Sequence, residues 1–266
     1  MSDAERISAV SPSFVPIPSM LTWTATDAFE LGGSEYVCRP IRGRFPSEPG
    51  RFCLVKPRWQ VEAYEALLRE LSPQAIVEVG MWDGASAAFF AEIARPKKLV
   101  TIDRRPAPSA ALIDFMAREE FASTMAAYCG VDQGDAARLS EILSAEFGDE
   151  PLDLVVDDAS HLVGLTRQTF NCLFPHLRPG GTYLIEDWSW AHNALGACGE
   201  WGDEVPLTVL VFELILACAH RPTLISNVNV YQNWALVTRG DAEIAPGSFD
   251  LSRCYGPRGR ALIPDL

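Results

Sequence analysis

Two pairs of acidic residues follow apolar runs in the second half of the chain. Asp157 and Asp158 end the run in "LDLVVDD", and Glu186 and Asp187 end the run in "GTYLIED". Burying an unpaired charge costs several kcal/mol, and four clustered carboxylates repel one another unless they are protonated or neutralised by a cation. Because carboxylate oxygens are hard ligands, the two pairs predict a divalent metal site, with Mg²⁺ favoured over Mn²⁺ or Ca²⁺.

A third titratable group, His161, follows the first acidic pair in "DDASH". An imidazole titrates near neutral pH, so His161 could take a proton from a substrate. It could equally be a residue at the start of a helix that bonds to the backbone or to one of the two preceding aspartates. The histidine alone leaves both interpretations open.

A glycine-containing segment, "EVGMWDGAS", lies between an apolar run and a helical pattern and places Glu78, Gly80, Gly84 and Ser86 in an ExGxxxGxS arrangement. Glycines at such a turn let the backbone approach a ligand closely, and the helix N-terminus offers free N–H groups. Asp103 ends the next apolar run, where a carboxylate can bind the hydroxyls of a ribose. The GxGxxG motif is absent, which disfavours a nicotinamide enzyme. The segment therefore predicts a nucleoside-containing ligand.

Two further features each have two interpretations. Asp135 in "GVDQGDAARL" is either a helix N-cap or a contact to adenine. Trp188 and Trp190, directly after the second acidic pair, either stack on an acceptor or pack against a neighbouring helix.

The elements that would position these residues alternate between strand and helix. Apolar runs at 75–80, 98–103, 124–130, 152–158 and 181–187 are separated by helical segments at 85–95, 108–121, 135–147 and 163–177. Such alternation is typical of a parallel sheet. A helix near 207–220 is followed by a hairpin in "TLISNVNVY" and "NWALVTRG". We predict a Rossmann-like α/β fold: a mostly parallel seven-stranded sheet, an antiparallel C-terminal hairpin and helices on both faces.

The chain divides into three parts by composition. Residues 1–55 are rich in Pro, Gly and Ser and predict an N-terminal arm or lid. The amphipathic pattern "RWQVEAYEALLREL" opens the main domain, predicted over 56–240, and an irregular tail follows at 241–266.

Composition excludes several classes of protein. A formal charge of −13 over 266 residues argues against nucleic-acid binding and against docking on acidic membranes. Seven cysteines without CxxC spacing indicate neither a zinc site nor a disulfide framework. Since there is no signal-peptide pattern at the N-terminus and no apolar run long enough to span a bilayer, we expect a cytoplasmic protein.

Residues 75–190 together resemble the S-adenosylmethionine (SAM) pocket of class I methyltransferases. The resemblance implies that Glu78, Gly80 and Gly84 line the methionine moiety, with Ser86 at the same turn. It also implies that Asp103 holds the ribose. Asp135 would then lie near the adenine.

The acidic residues resemble the metal site of the Mg²⁺-dependent catechol O-methyltransferase family. In that family an Asp after the fourth strand binds the metal together with an acidic residue and an Asp or Asn that lie 28 and 29 residues later. Asp158, Glu186 and Asp187 share this separation. The family's catalytic base lies three residues after the first ligand, which implies that role for His161. Asp157 is left as an outer ligand, a partner that orients His161 or a SAM contact.

The histidine in "DDASH", together with the segment from Lys56 onward, is more similar to the macrolide sugar O-methyltransferases and the related cephalosporin-hydroxylase-like family. This resemblance implies SAM- and Mg²⁺-dependent methylation of a hydroxyl on a sugar or another polyhydroxylated small molecule, and a homo-oligomer by analogy. The alternatives are methylation of a catechol or other phenol, and a SAM-binding hydroxylase-like or accessory protein without methyl transfer.

Overall fold

The computed structural model describes residues 18–40, 43–192 and 204–263. Its main feature is a seven-stranded sheet of order β10-β11-β9-β8-β5-β6-β7. Its strands are β5 (Ala75–Val79), β6 (Lys98–Asp103), β7 (Met125–Cys129), β8 (Leu152–Asp157), β9 (Leu177–Glu186), β10 (Ile225–Val230) and β11 (Trp234–Arg239). Strands β5 to β9 are mutually parallel, and β11 runs antiparallel to both β9 and β10. The predicted fold class and hairpin are confirmed.

The helices cover both faces of this sheet. They are α1 (Arg58–Leu71), α2 (Ala85–Ala94), α3 (Ala110–Met116), α4 (Ala136–Phe147), α5 (Val163–Leu173), α6 (Thr208–His220) and the short α7 (Pro257–Arg260). Side chains of β5 alternate between the two layers: Ile76 packs with α1, α2 and α3, whereas Val77 packs with α4, α5 and α6. No helix in the described part of the chain is long and apolar enough to cross a membrane.

Two predicted helices are longer than the observed ones. Helix α3 begins after Ser109, whose hydroxyl accepts the N–H of Leu112 as an N-cap, and it ends at Met116. Helix α5 ends at Leu173, because Pro175 in the following 3₁₀ turn has no N–H with which to continue the α-helical pattern. Strand β9 then begins at Leu177 and includes the "RPGG" segment expected to be only a helix stop.

The N-terminal region contains a second, four-stranded sheet. Strands β1 (Thr22–Ala25), β2 (Ala28–Leu31) and β3 (Ser34–Cys38) are antiparallel neighbours, and β4 (Arg51–Leu54) pairs parallel with β3. The ring centroid of Phe89 on α2 lies 6.0 Å from that of Phe29 and 6.2 Å from that of Tyr36. The small sheet therefore shares a core with the main domain. A lid function and the boundaries at 55 and 240 stay predictions.

The cysteines in the described ranges are all free thiols. Cys198 and the rest of the segment 193–203 lie outside the described residues, as do residues 1–17.

Candidate active site

The candidate site lies where the chain reverses its direction across the sheet. From β5 the chain adds β6 and β7 on one side, then crosses to add β8 and β9 on the other. The carboxyl ends of β5 and β8 therefore meet at the switch point where open α/β sheets bind ligands. The N–H of Asp158 donates to the carbonyl of Val79 over 2.8 Å. The glycine turn and the first acidic pair are thus direct neighbours.

Gly80 makes this close approach possible. Its φ is +97°, and a Cβ at this position would lie 2.2 Å from the carbonyl oxygen of Asp158. Gly84, with φ +90°, precedes α2, and a Cβ there would lie 2.7 Å from Leu112. Both positions exclude a side chain for steric reasons as well as conformational ones.

Three side chains converge just beyond the switch point. Asp158, His161 and Asp187 each place a potential ligand atom within 4.8 Å of the others. The His161 Nε2 atom is 3.9 Å from Asp158 Oδ1 and 3.8 Å from Asp187 Oδ2, so neither contact is a hydrogen bond. All three side chains are between one fifth and one third exposed. In the described part of the chain this is the cluster suited to a metal ion.

His161 and Asp187 both have left-handed backbone conformations, with φ of +56° and +54°. The left-handed conformation raises the free energy of a non-glycine residue by roughly 1–3 kcal/mol. Such a residue is found only where contacts with the surrounding structure fix its backbone, as at many active sites. Burial raises the pKa of Asp187, and the nearby His161 opposes that rise. Two of the three predicted metal ligands, Asp158 and Asp187, thus lie beside the predicted base.

Glu186 is buried and is not a member of this cluster. Its side chain is 2% exposed, and its Oε1 atom accepts hydrogen bonds from Lys56 Nζ at 2.6 Å and from the Tyr64 hydroxyl. Its Oε2 atom accepts a hydrogen bond from Gln60 Nε2 at 2.7 Å. Burial and the Asp158 carboxylate raise the pKa of Glu186, against the effects of Lys56 and Tyr64. The assignment of Glu186 as a ligand stays a prediction.

Lys56 bridges the two acidic pairs. Its ammonium also lies 2.9 Å from Asp158 Oδ2, and the side chain is only 6% exposed. Burial by itself lowers the pKa of Lys56, but the Asp158 and Glu186 carboxylates outweigh burial and raise it.

Sequence reasoning missed Lys56, Gln60 and Tyr64 as parts of the site. A signal was present in the sequence, because Gln60 and Tyr64 bring polar groups to the buried side of α1. Lys56 lies four residues before Gln60, just ahead of the helix. The sequence around these residues did not indicate that Glu186 would be their hydrogen-bond partner.

Asp157 has a separate environment. It is 2% exposed and accepts a hydrogen bond from the hydroxyl of Tyr183 on β9 at 2.9 Å. Burial raises the pKa of Asp157 to about 7. Its side chain thus links the end of β8 to β9, and its three predicted roles stay predictions.

Glu78 lies on β5 beneath the glycine turn. Its Oε2 atom accepts a 2.6 Å hydrogen bond from the hydroxyl of Thr101, while its Oε1 atom is buried and has no partner among the described residues. Burial raises the pKa of Glu78 to about 7. Ser86, in the first turn of α2, is also buried. An unsatisfied buried acceptor at this edge is available to a bound ligand.

Asp103 holds the glycine turn against the end of β6. Its two oxygens accept the N–H groups of Trp82 and Arg105, each at 2.8 Å. Asp135 is the N-cap of α4, with its side chain accepting the N–H of Arg138 at 3.0 Å. The capping interpretation of Asp135 agrees with the structure, and its contact to adenine stays a prediction.

The two tryptophans after β9 differ in their surroundings. The indole N–H of Trp188 donates to the carbonyl of Tyr231 over 2.8 Å, and its ring packs on the core, which favours the packing interpretation. The Trp190 ring centroid lies 6.2 Å from that of His161, so this ring forms one wall of the site.

Comparison with known proteins gives a match over the same part of the chain. Residues 77–188 match a family model described as a methyltransferase domain, and this range contains every predicted site residue. Over this range the chain is similar to methyltransferase domains. The predicted resemblance is thereby confirmed.

Two curated proteins that are similar to part of this chain are named as O-methyltransferases. Demethylmacrocin O-methyltransferase of Streptomyces fradiae is 52% identical over 56 residues, and mycinamicin VI 2''-O-methyltransferase of Micromonospora griseorubida is 50% identical over 56 residues. Each alignment covers 21% of this chain and 13% of the relative.

Among solved structures, the MycE methyltransferase of the mycinamycin biosynthetic pathway is similar to this chain, with a TM-score of 0.53 and 27% sequence identity. It was solved in complex with Mg, S-adenosylhomocysteine (SAH) and mycinamycin VI. That match covers 71% of this chain and 52% of MycE. The chain thus spans about half of this structural relative and a small part of the two curated ones.

Proposed function

We propose that the protein transfers a methyl group from SAM to a hydroxyl of a sugar on a glycosylated natural product, with a divalent metal ion and His161 as general base. The observation that carries the proposal is the cluster of Asp158, His161 and Asp187 at the sheet edge that also holds the Gly80 turn. The named relatives methylate macrolide substrates, and MycE was solved with Mg and SAH, which supports the same chemistry here.

The three predicted metal ligands, together with Lys56, fit a divalent cation in charge and in donor type. Asp158, Glu186 and Asp187 carry three negative charges when ionised, and Lys56 supplies one positive charge. The remaining charge of about −2 is the amount that a divalent ion neutralises, and carboxylate oxygens suit Mg²⁺, with Mn²⁺ as a substitute. When bound, the ion would lower the pKa of an alcohol and orient it.

The residues of the neighbouring turn fit SAM. Gly80 and Gly84 keep side chains out of the turn, and the unpartnered Oε1 of Glu78 offers a buried acceptor. Asp103 is partly exposed at the end of β6, where a carboxylate can accept hydrogen bonds from ribose hydroxyls. SAM supplies a methyl group that is already activated by its positive sulfur, so the protein must mainly orient the acceptor and remove its proton.

His161 is suited to removing that proton. Its Nε2 is not hydrogen-bonded to either nearby carboxylate, and both carboxylates lie within 4 Å, where they would stabilise the imidazolium once the proton has arrived. In this role Nε2 would accept the hydroxyl proton as the acceptor oxygen bonds to the methyl carbon, while the bond from that carbon to the sulfur breaks and S-adenosylhomocysteine leaves.

The test is a methylation assay with purified protein, SAM, a panel of demethylated macrolide glycosides and a panel of catechols. We expect methylated glycosides by mass spectrometry, loss of product in EDTA and recovery with Mg²⁺. Full turnover in EDTA would contradict the metal role, and turnover of catechols alone would favour the phenol alternative. SAM binding without methyl transfer to any acceptor would favour an accessory protein.

A further inference from the structure

Asp83 lies inside the glycine turn, between Gly80 and Gly84 of the proposed SAM pocket, and it is 6% exposed. Its Oδ2 atom accepts two hydrogen bonds from Ser47, one from the backbone N–H at 3.0 Å and one from the hydroxyl at 2.7 Å. A buried carboxylate is stable only where donors reach it. The two bonds from Ser47 therefore stabilise Asp83 in its buried position and, with it, the middle of the turn.

Ser47 belongs to the segment 43–50, which connects β3 to β4 of the small N-terminal sheet. Its hydroxyl oxygen accepts the N–H of Cys53 on β4 at 3.0 Å. Glu48 and Arg51 exchange two backbone hydrogen bonds, each of 2.8 Å, which fold the segment back onto the start of β4. The position of Ser47 is thus fixed by β4, so Ser47 connects the small sheet to the glycine turn.

A second contact joins the same segment to the neighbouring residue of the turn. The guanidinium carbon of Arg44 lies 4.4 Å from the centroid of the Trp82 ring, which is a cation–π distance. The backbone N–H of Trp82 donates to Asp103, the predicted ribose residue. The segment 43–50 therefore contacts two consecutive residues of the turn, and one of them is bonded to Asp103.

The small sheet is also attached to the main domain at a second place, away from the turn. Ser34 on β3 is 1% exposed, and its hydroxyl oxygen accepts a 2.6 Å hydrogen bond from Arg118, which follows α3. Two buried serines of one sheet thus bond to the main domain, and of the two only Ser47 bonds to the glycine turn. Ser34 provides a matched control for the role of Ser47.

We propose that Ser47 is a positioning residue for the cofactor: through Asp83 it keeps the glycine turn in the conformation that receives SAM, so that the small sheet forms part of the cofactor site. If the turn leaves this conformation, the apparent affinity falls in proportion to the fraction of molecules that keep it. The inference rests on the SAM site of the proposed function. It adds a residue that lies outside the matched range 77–188.

The first experiment compares Ser47→Ala with Ser34→Ala by calorimetric titration with S-adenosylhomocysteine. We expect Ser47→Ala to raise the Kd about tenfold, as when the competent fraction of the turn falls to about one tenth, and Ser34→Ala to stay within about twofold of wild type. Urea denaturation should show a loss of stability in both variants, since each removes a buried hydrogen bond. An unchanged Kd in Ser47→Ala, or an equal rise in both variants, would overturn the proposal.

A double-mutant cycle tests whether Ser47 acts through Asp83. In an Asp83→Ala background the hydroxyl of Ser47 has lost its acceptor in the turn, so adding Ser47→Ala should change the Kd for S-adenosylhomocysteine by less than about twofold. A further tenfold rise in the double variant would mean that Ser47 does not act through this carboxylate and would overturn the proposal.

Hydrogen–deuterium exchange on the unaltered protein gives a test that does not depend on the folding of any variant. The N–H of Ser47 bonds to Asp83, and the N–H of Cys53 bonds to Ser47. S-adenosylhomocysteine should slow exchange at these two amides at least fivefold more than at the amides of β1 and β2, which lie at the opposite edge of the small sheet. Equal slowing across the sheet, or none at the two amides, would overturn the proposal.

These experiments separate the inference from the proposed function. Wild-type protein that does not bind S-adenosylhomocysteine would overturn the SAM site itself, and this inference with it. Normal binding by wild type together with unaltered binding by Ser47→Ala would overturn the role of Ser47 alone.

Discussion

Gly80 and the carbonyl oxygen of Asp158 approach so closely that a Cβ on residue 80 would lie 2.2 Å from that oxygen. This contact joins the turn after β5 to the loop after β8, and therefore joins the proposed SAM pocket to the proposed metal site. A change at residue 80 should disturb both.

Gly80→Ala is expected to lower the free energy of unfolding by about 3 kcal/mol or more, because the added Cβ meets backbone atoms and φ is +97°. The matched control is Gly130→Ala, where φ is +71° but no atom lies within 4 Å of the Cβ, so that only the backbone strain of about 1–2 kcal/mol applies. Urea denaturation measures both. If both variants lost the same free energy of unfolding, the close contact with Asp158 would not be the reason why residue 80 must be glycine.

His161→Ala should lower kcat by about 10²- to 10⁴-fold, because no other group in the cluster is placed to take the proton. Binding of S-adenosylhomocysteine, followed by calorimetry, should be unchanged. Mn²⁺ affinity is a further readout, since a large loss would place His161 among the metal ligands instead. His220→Ala, at the exposed end of α6, is the control and should keep wild-type turnover.

Asp103→Ala should weaken binding of S-adenosylhomocysteine by about 10-fold or more, since it removes the proposed ribose acceptor and both bonds that hold the turn at Trp82 and Arg105. Asp114→Ala, on the exposed side of α3, removes a carboxylate of equal charge and serves as the control. Calorimetric titration provides the dissociation constants. Equal affinities in the two variants would mean that Asp103 does not contact the cofactor.

Glu78→Gln tests the buried carboxyl group through pH. The pKa of Glu78 is raised from its usual value to about 7 in the folded protein. Between pH 4.5 and 7 the unfolded chain ionises this group while the folded protein does not, so Glu78 makes the wild type progressively less stable as pH rises. Above pH 7 both states are ionised, so the loss of stability caused by Glu78 no longer changes with pH.

The variant lacks this titration, so its stability relative to wild type should increase from pH 4.5 to 7 by about 3 kcal/mol at most. Urea denaturation at pH 5 and pH 8 measures the difference. Glu62→Gln, at an exposed residue paired with Arg58, should show little dependence on pH and is the control. A Glu78→Gln profile parallel to wild type would contradict the raised pKa.

Much of the site could be predicted from the sequence because it depends on local pattern. Strands and helices alternate with lengths set by apolar periodicity, and polar residues at the ends of parallel strands must meet at one edge of the sheet. The positions of Asp158, His161 and Asp187 follow from that rule. Helix α1 was predicted with the observed boundaries, because its apolar residues recur at helical spacing.

The sequence by itself determined the order of strands and helices, the edge of the sheet that carries the chemistry and the residue types available there. Only the tertiary structure decided how the four clustered carboxylates are divided. Asp157 bonds to Tyr183 and Glu186 bonds to Lys56, which lies 130 residues earlier in the chain. Such pairings depend on how α1 packs beside the end of β9, and neither hydrophobic periodicity nor residue spacing carries information about contacts at that separation.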